Sequence, residues 1–233
     1  MFFTQNSHTM KRLVLIFAAM MITAAGMWAQ RVNFKVGGGI ASHYGSGTRS
    51  IGALKLGVSY EHELNGNFSI EPGAFFYVKG YEDKDERVFM RDQDGNILYD
   101  DDNNPRTGLK NSSVNANYIE VPVMFNYYLE ISPLNYIEFS AGPYVAYGVG
   151  GKRKVRGDTD KEAGERFFYT KKIFDEMGVH RFDGGITAAV NYEFNRMFAV
   201  GAEADFGVFN FNSGGAKNIT GIITFSYRLR LGE

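Results

Sequence analysis

The sequence predicts an all-β fold, an eight-stranded antiparallel up-and-down transmembrane β-barrel. Three observations lead there. First, Ile219, Ile223, Phe225, Tyr227, Leu229 and Leu231 alternate with Asn218, Thr220, Thr224, Ser226, Arg228 and Arg230, and a period of two is a strand. Second, that run exceeds the roughly 5–6 residues of an ordinary strand and reaches the roughly 9–11 that a tilted strand needs to cross a bilayer. Third, such segments recur eight times, joined by tight turns at one end and mostly longer connections at the other, as in an even-stranded membrane barrel.

Before the first strand, Lys11 and Arg12 precede an apolar run from Leu13 to Ala25 and a small residue, Ala29. This is the layout of a secretory signal with cleavage after Ala29, and Met10 is an alternative start. The domain plan is therefore a signal over 1–29 and a barrel over 30–233. The apolar run is too short for a spanning helix, which takes about 20 residues.

The strands are placed near 31–41, 51–63, 68–79, 116–131, 136–149, 179–194, 198–211 and 218–231. The fourth is the clearest: Ile119, Val121, Val123, Phe125, Tyr127, Leu129 and Ile131 share one face, and Glu120, Met124, Asn126, Tyr128 and Glu130 the other. Asn65-Gly66, Ser132-Pro133-Leu134-Asn135 and Asn195-Arg196 supply turn chemistry between strand pairs. Long loops are expected near 80–115 and 150–178.

A soluble eight-stranded barrel shares this binary pattern with its faces reversed. Small residues on the polar face, such as Gly37, Gly39 and Ala41, suit a crowded barrel interior. Tyr127, Tyr192, Phe194, Phe198 and Tyr227 end the apolar face near the tight turns, where an interfacial girdle belongs. Both favour the membrane sense. With a signal and this strand pattern, the expected location is the outer membrane of a Gram-negative bacterium.

Composition narrows the function. The 233 residues include 28 Gly, 20 Phe and 14 Tyr, enough for one sizeable β domain. No Cys is present, which excludes disulfide frameworks and thiol chemistry. With 25 Lys or Arg against 26 Asp or Glu, there is no basic excess pointing to nucleic acid.

Tyr118-Ile119-Glu120-Val121-Pro122, Tyr127-Tyr128, Gly142-Pro143-Tyr144, Phe182-Asp183-Gly184-Gly185 and Phe225-Ser226-Tyr227-Arg228 together resemble the PorT-like outer-membrane β-barrel family of Bacteroides-type Gram-negative bacteria. The resemblance spans the mature chain. It implies an eight-stranded outer-membrane barrel of a family in which a few relatives are linked to protein secretion and most have no assigned activity, and it brings no catalytic residues.

The inward face carries Lys35, Lys55, Glu71, Glu120, Glu138, Arg181, Asp183, Glu203, Asp205 and Arg228. An eight-stranded interior is just filled by side chains, so these are read as an internal salt-bridge network closing the lumen, against an ion or proton path. Glu203 and Asp205 are spaced as an acid and base pair, but ion pairing accounts for them more simply. His43, in the first loop, and His180, opening the sixth strand, lack any supporting triad spacing. No catalytic residue, cofactor or enzymatic activity is expected.

The second long loop is acidic, with nine Asp or Glu and three Lys or Arg from Glu82 to Asn104. Its Asp92 and Asp94 are weak metal candidates that miss the calcium-loop spacing; a hairpin from Val88 to Tyr99 turning at Asp94-Gly95 is the simpler reading. The third is an extracellular basic loop with Lys152, Arg153, Lys154 and Arg156, and with Lys171 and Lys172 at its close. A solvated loop is the simpler reading, and contact with lipopolysaccharide phosphates or docking on the acidic loop are the functional ones. The expected function is a non-enzymatic outer-membrane barrel whose loops make surface contacts or serve a secretion or envelope assembly. The expected partners are outer-membrane lipid and lipopolysaccharide, with envelope or secretion proteins of unidentified kind as further candidates and no nucleic acid. A small-ligand or ion-binding mouth or lumen, and a lipid or peptide enzyme, are the alternatives.

Overall fold

The computed structural model describes residues 30–44, 47–90, 96–158 and 166–231. The stretch read as a signal lies outside them. Among the described residues are ten strands: β1 (Gln30–Tyr44), β2 (Ile51–Asn65), β3 (Phe68–Glu82), β4 (Glu86–Phe89), β5 (Thr107–Ser132), β6 (Asn135–Asp158), β7 (Arg166–Lys172), β8 (Phe182–Phe194), β9 (Phe198–Gly207) and β10 (Lys217–Leu231). A 3₁₀ turn covers Ile173–Asp175. Strands β5, β3, β2, β1, β10, β9, β8 and β6 pair in that order, and β6 pairs again with β5. The result is a closed antiparallel ring of eight, without free edges across the bilayer.

The faces decide between the two barrel types. Phe34, Val36 and Ile40 on β1, Phe125 and Leu129 on β5, and Ile223 and Phe225 on β10 all stand exposed on the outer wall. Lys55, Lys79, Glu120, Glu138, Asp205 and Arg228 are buried in the lumen. A barrel dissolved in water would bury the first set and solvate the second; this one is built to face lipid.

The turns at one end are short. Two residues separate β2 from β3 and β5 from β6, and three separate β8 from β9. Asn195 and Arg196 both take positive φ, as does Leu134, a conformation that closes such hairpins. Beside these turns Phe68 meets Tyr127 with centroids 5.0 Å apart, Phe194 meets Phe198 at 5.4 Å, and Phe198 meets Tyr227 at 5.5 Å. These rings form a girdle at the headgroup level of the turn end.

At the opposite end two strand boundaries differ markedly from the sequence expectation. β5 begins at Thr107 and β6 runs to Asp158, so much of what read as long loop is strand. β4 adds to the outer edge of β5, and β7 to β6, giving a four-stranded sheet, β4-β5-β6-β7, that continues the wall beyond the bilayer. The reason is a reversal of polarity. Below it, the outward residues are Ile119 and Val149; above it they are Asn115 and Ser113 on β5 and Lys152 and Lys154 on β6, while Val114, Ala116 and Val155 turn inward and are buried. Outside lipid the outer face must satisfy water, and the apolar side chains move to the interior. The change falls at a register shift between Asn117 and Tyr118. There Gly151 takes φ +146°, and a Cβ would meet the Asn115 carbonyl oxygen at 2.3 Å, so glycine is required.

Candidate functional site

The lumen is filled by one ion-pair and hydrogen-bond lattice. At mid-height Lys55 Nζ lies 2.7 Å from Glu120 Oε1 and 2.5 Å from Glu203 Oε1. Lys79 Nζ lies 2.6 Å from Glu120 Oε2 and 3.5 Å from both Asp183 and Asp205. Lys35 reaches Glu203 at 3.2 Å. Towards the tight turns, Arg31 bonds Glu61 at 2.8 Å and Glu193 at 3.0 Å, and Arg228 pairs with Glu138 and Glu193.

The carboxylates outnumber these cations, and neutral donors make up the difference. Asn126 and Asn33 donate to Glu71 at 2.8 and 3.0 Å, and Ser59 donates to it as well. Thr187 and Thr220 donate to Asp205 at 2.7 and 3.0 Å. Tyr128 donates to Glu61 at 2.6 Å, and Asn191 to Glu138 at 3.1 Å. An ionised carboxylate only accepts, so each such donor removes part of its desolvation cost. Glu203 and Asp205 are held by separate partners, which is the arrangement of structural ion pairs.

Of the residues assigned to the lumen from sequence, Arg181 is placed elsewhere. It precedes β8, in a bend at the outer rim, where it donates to the Gly148 carbonyl at 3.1 Å and approaches Asp175 at 3.5 Å. The inward parity of β8 begins only with Asp183, so the correction is one of strand boundary. Arg31, Glu61, Lys79 and Glu193 belong to the lattice and were missed. Each stands an even number of residues from a named lumen residue on its own strand, so period two was sufficient to find them.

At the outer mouth the 3₁₀ turn folds back as a cap. Ile173 and Phe174 are buried with Tyr81, Tyr118, Tyr144 and Phe211, and Phe174 meets Tyr118 edge-on at 5.7 Å. Gly148 makes room for it, since a Cβ there would lie 2.1 Å from the Phe174 ring. Arg153 fastens the cap to the sheet: Nε donates to Glu176 at 2.9 Å, Nη1 to Ser112 at 2.9 Å and to Asp83 at 3.4 Å, and Nη2 to Tyr81 at 3.2 Å. Burial works against its charge, but Tyr81 and Glu176 hold its pKa above the ordinary arginine value.

The basic residues read as a loop are strand residues whose faces alternate. Arg153 points into the cap, while Lys152, Lys154 and Arg156 are exposed on the other face of β6. His43 is in β1 instead of a loop, packed on Tyr81 and Phe211 at 4.1 and 4.7 Å with Nε2 2.9 Å from Asn218 Oδ1. His180 Nδ1 lies 2.9 Å from the Asn210 carbonyl oxygen. Asp92 and Asp94 lie outside the described residues. Among the described residues no group of three or more His, Cys, Asp or Glu is arranged to hold a metal. Asp100 instead closes a turn, accepting the backbone N–H groups of Asn104 at 2.8 Å and Asp102 at 3.0 Å.

Among solved structures, Neisserial surface protein A is similar at 11% identity and TM-score 0.41, over 87% of this chain and 97% of that one. Ail of Yersinia pestis is similar at 12% identity and TM-score 0.37, over 87% and 100%. The N-terminal barrel of Pseudomonas aeruginosa OprF matches at 10% identity and TM-score 0.34, over 85% and 97%. No curated protein matches. The family model described as outer membrane protein beta-barrel domain matches residues 24–213. With that match over most of its length and a closed ring of eight lipid-facing strands, the chain belongs to the outer membrane protein beta-barrel domain family.

Proposed function

We propose that this outer-membrane barrel is a closed, non-enzymatic anchor, exported by a cleaved signal, that holds the β4-β5-β6-β7 sheet above the membrane as a contact surface. The observation carrying this reading is the pairing of a lumen blocked by buried ion pairs with an ordered extension of the wall at one end only. A barrel that conducts needs a continuous polar path with room for water; here Lys55, Lys79 and Glu120 fill the centre and Phe174 and Tyr118 fill the mouth. The PorT-like resemblance supports partners in a secretion or envelope assembly.

Two measurements test it. Reconstituted in planar bilayers, the protein should show no stable channel steps, and regular large conductance would overturn the closed lumen. In whole cells, photo-cross-linkers placed at Asn111 or Arg87 on the sheet should capture envelope proteins, whereas a cross-linker at lipid-facing Ile223 should capture none.

A further inference from the structure

Just above the lipid-facing wall, β5, β6, β7 and the bend before β8 enclose a cleft of about 570 Å³. Lys152 and Lys154 of β6, Lys172 of β7 and Arg181 line it together with Asn115 and Asn117 of β5. Among the described residues Asp175 is the one carboxylate on its lining. Arg181 already approaches that carboxylate, whereas the three lysines have no ion-pair partner among the described residues. The contrast with Arg153 on the same strand is sharp, since its guanidinium is tied to Glu176 and Asp83.

The strand register makes the crowding of charge explicit. Lys152 stands directly opposite Lys172 across the antiparallel β6–β7 pair. Like charges facing each other across a ladder destabilise it, and an anion seated between them reverses the sign of that contribution. Ammonium, guanidinium and side-chain amide groups can together supply many hydrogen-bond donors, which matches an ion with several acceptor oxygens, such as a phosphate. The volume falls within the roughly 300–1,000 Å³ of ligand sites, so the cleft admits a phosphate with the sugar or glycerol that carries it.

Its height identifies the carrier. Val149 lines the cleft and belongs to the lipid-facing wall, immediately above Tyr147. Arg181 directly precedes Phe182, which is exposed and packs on Phe209 with centroids 5.1 Å apart. The cations therefore stand where the apolar wall ends, at the level of the outer-leaflet headgroups. We infer that this cleft binds the phosphate of a phosphorylated outer-leaflet lipid whose acyl chains lie along the wall beneath it. This rests on the barrel and outward sheet of the proposed function and names a partner for that surface.

The test uses the full mature barrel in nanodiscs of phosphatidylcholine doped with monophosphorylated lipid A or with the same lipid lacking its phosphate. Retention of each is measured by native mass spectrometry, with inorganic phosphate as competitor. Retention of the phosphorylated lipid should exceed that of the other by about tenfold or more, equivalent to about 1.4 kcal/mol. The preference should disappear in a Lys152→Gln/Lys154→Gln/Lys172→Gln protein and persist in an Arg230→Gln control at the other end. Equal retention of the two lipids, or an unchanged preference in the triple variant, would overturn the inference. Displacement by inorganic phosphate at micromolar concentration would contradict the membrane-borne source. A heat-dependent shift on gels shows that each variant is folded; Lys172→Gln alone serves if the triple variant does not fold. A protein that shows no such shift even as wild type would refute the barrel reading itself, whereas a folded barrel without phosphate preference refutes only the lipid site.

Discussion

Lys55 of β2 and Glu203 of β9 meet at 2.5 Å inside the lumen, although β1 and β10 separate their strands in the wall. The same ammonium reaches Glu120 of β5, so one side chain ties three separate parts of the ring. Replacing Lys55 by Met removes the charge and leaves buried carboxylates short of a partner. The expected loss is about 3–5 kcal/mol, the usual penalty for breaking a buried ion pair from one side. Urea unfolding in lipid vesicles measures it, and a loss below about 1 kcal/mol, typical of exposed pairs, would show that the centre is hydrated.

The cap offers a second prediction. Arg153→Ala removes bonds to Glu176, Asp83, Ser112 and Tyr81 at once, and Gly148→Val drives a side chain into the space of the Phe174 ring. Both variants should keep the barrel, since the transmembrane ladders are untouched. Limited proteolysis should cut within 173–181 about tenfold faster than in the wild type, an opening cheaper by about 1.4 kcal/mol. Unchanged cleavage in both would mean that the cap is held by something other than these contacts.

Acid should loosen one turn outside the membrane. The backbone N–H of Asn104, with its side chain and the Asp102 N–H, holds the Asp100 carboxyl below its ordinary pKa. A depressed folded pKa contributes stability above the unfolded value near 3.9, and that contribution is lost as the pH falls through the folded one. Amide exchange at Asn104 should therefore be slow at neutral pH and accelerate, after correction for intrinsic rates, below about pH 4. An Asp100→Asn protein should show no such step; a step of the same size in that variant would assign it elsewhere.

The legible and illegible parts of the molecule divide along a physical line. Ile119 against Glu120, or Phe225 against Arg228, is visible because one face meets lipid and the other a polar lumen, so alternation and environment coincide. Lys79 and Glu193 were equally available, being in step with Glu71 and Asp183. The extension of β5 and β6 was hidden because Val114 keeps the inward parity of Glu120 under the opposite solvent rule, while the register shift opposite Asn117 and Tyr118 switches the parity of β6, so that Lys152 points outward although Glu138 and Ala146, an even number of residues below it, point inward. Arg181 was misplaced by a strand end, the least determined feature of a periodic pattern. Phe174 under Gly148 carries no local signal at all, since it is a contact between an aperiodic segment and a distant strand. The cationic cleft, likewise, required the register that sets Lys152 opposite Lys172.

The sense of the wall is the central claim, and β10 tests it most directly. The chain lacks Cys, so Ile223→Cys, Phe225→Cys, Thr224→Cys and Ser226→Cys can each carry one nitroxide label in vesicles. Labels at 223 and 225 should be relaxed strongly by oxygen and weakly by a water-soluble nickel chelate, as in hydrocarbon. Those at 224 and 226 should be immobilised and poorly reached by either reagent, as in a filled lumen. Labels at 223 and 225 relaxed by the chelate rather than by oxygen would mean that the apolar wall faces water, contradicting the membrane barrel.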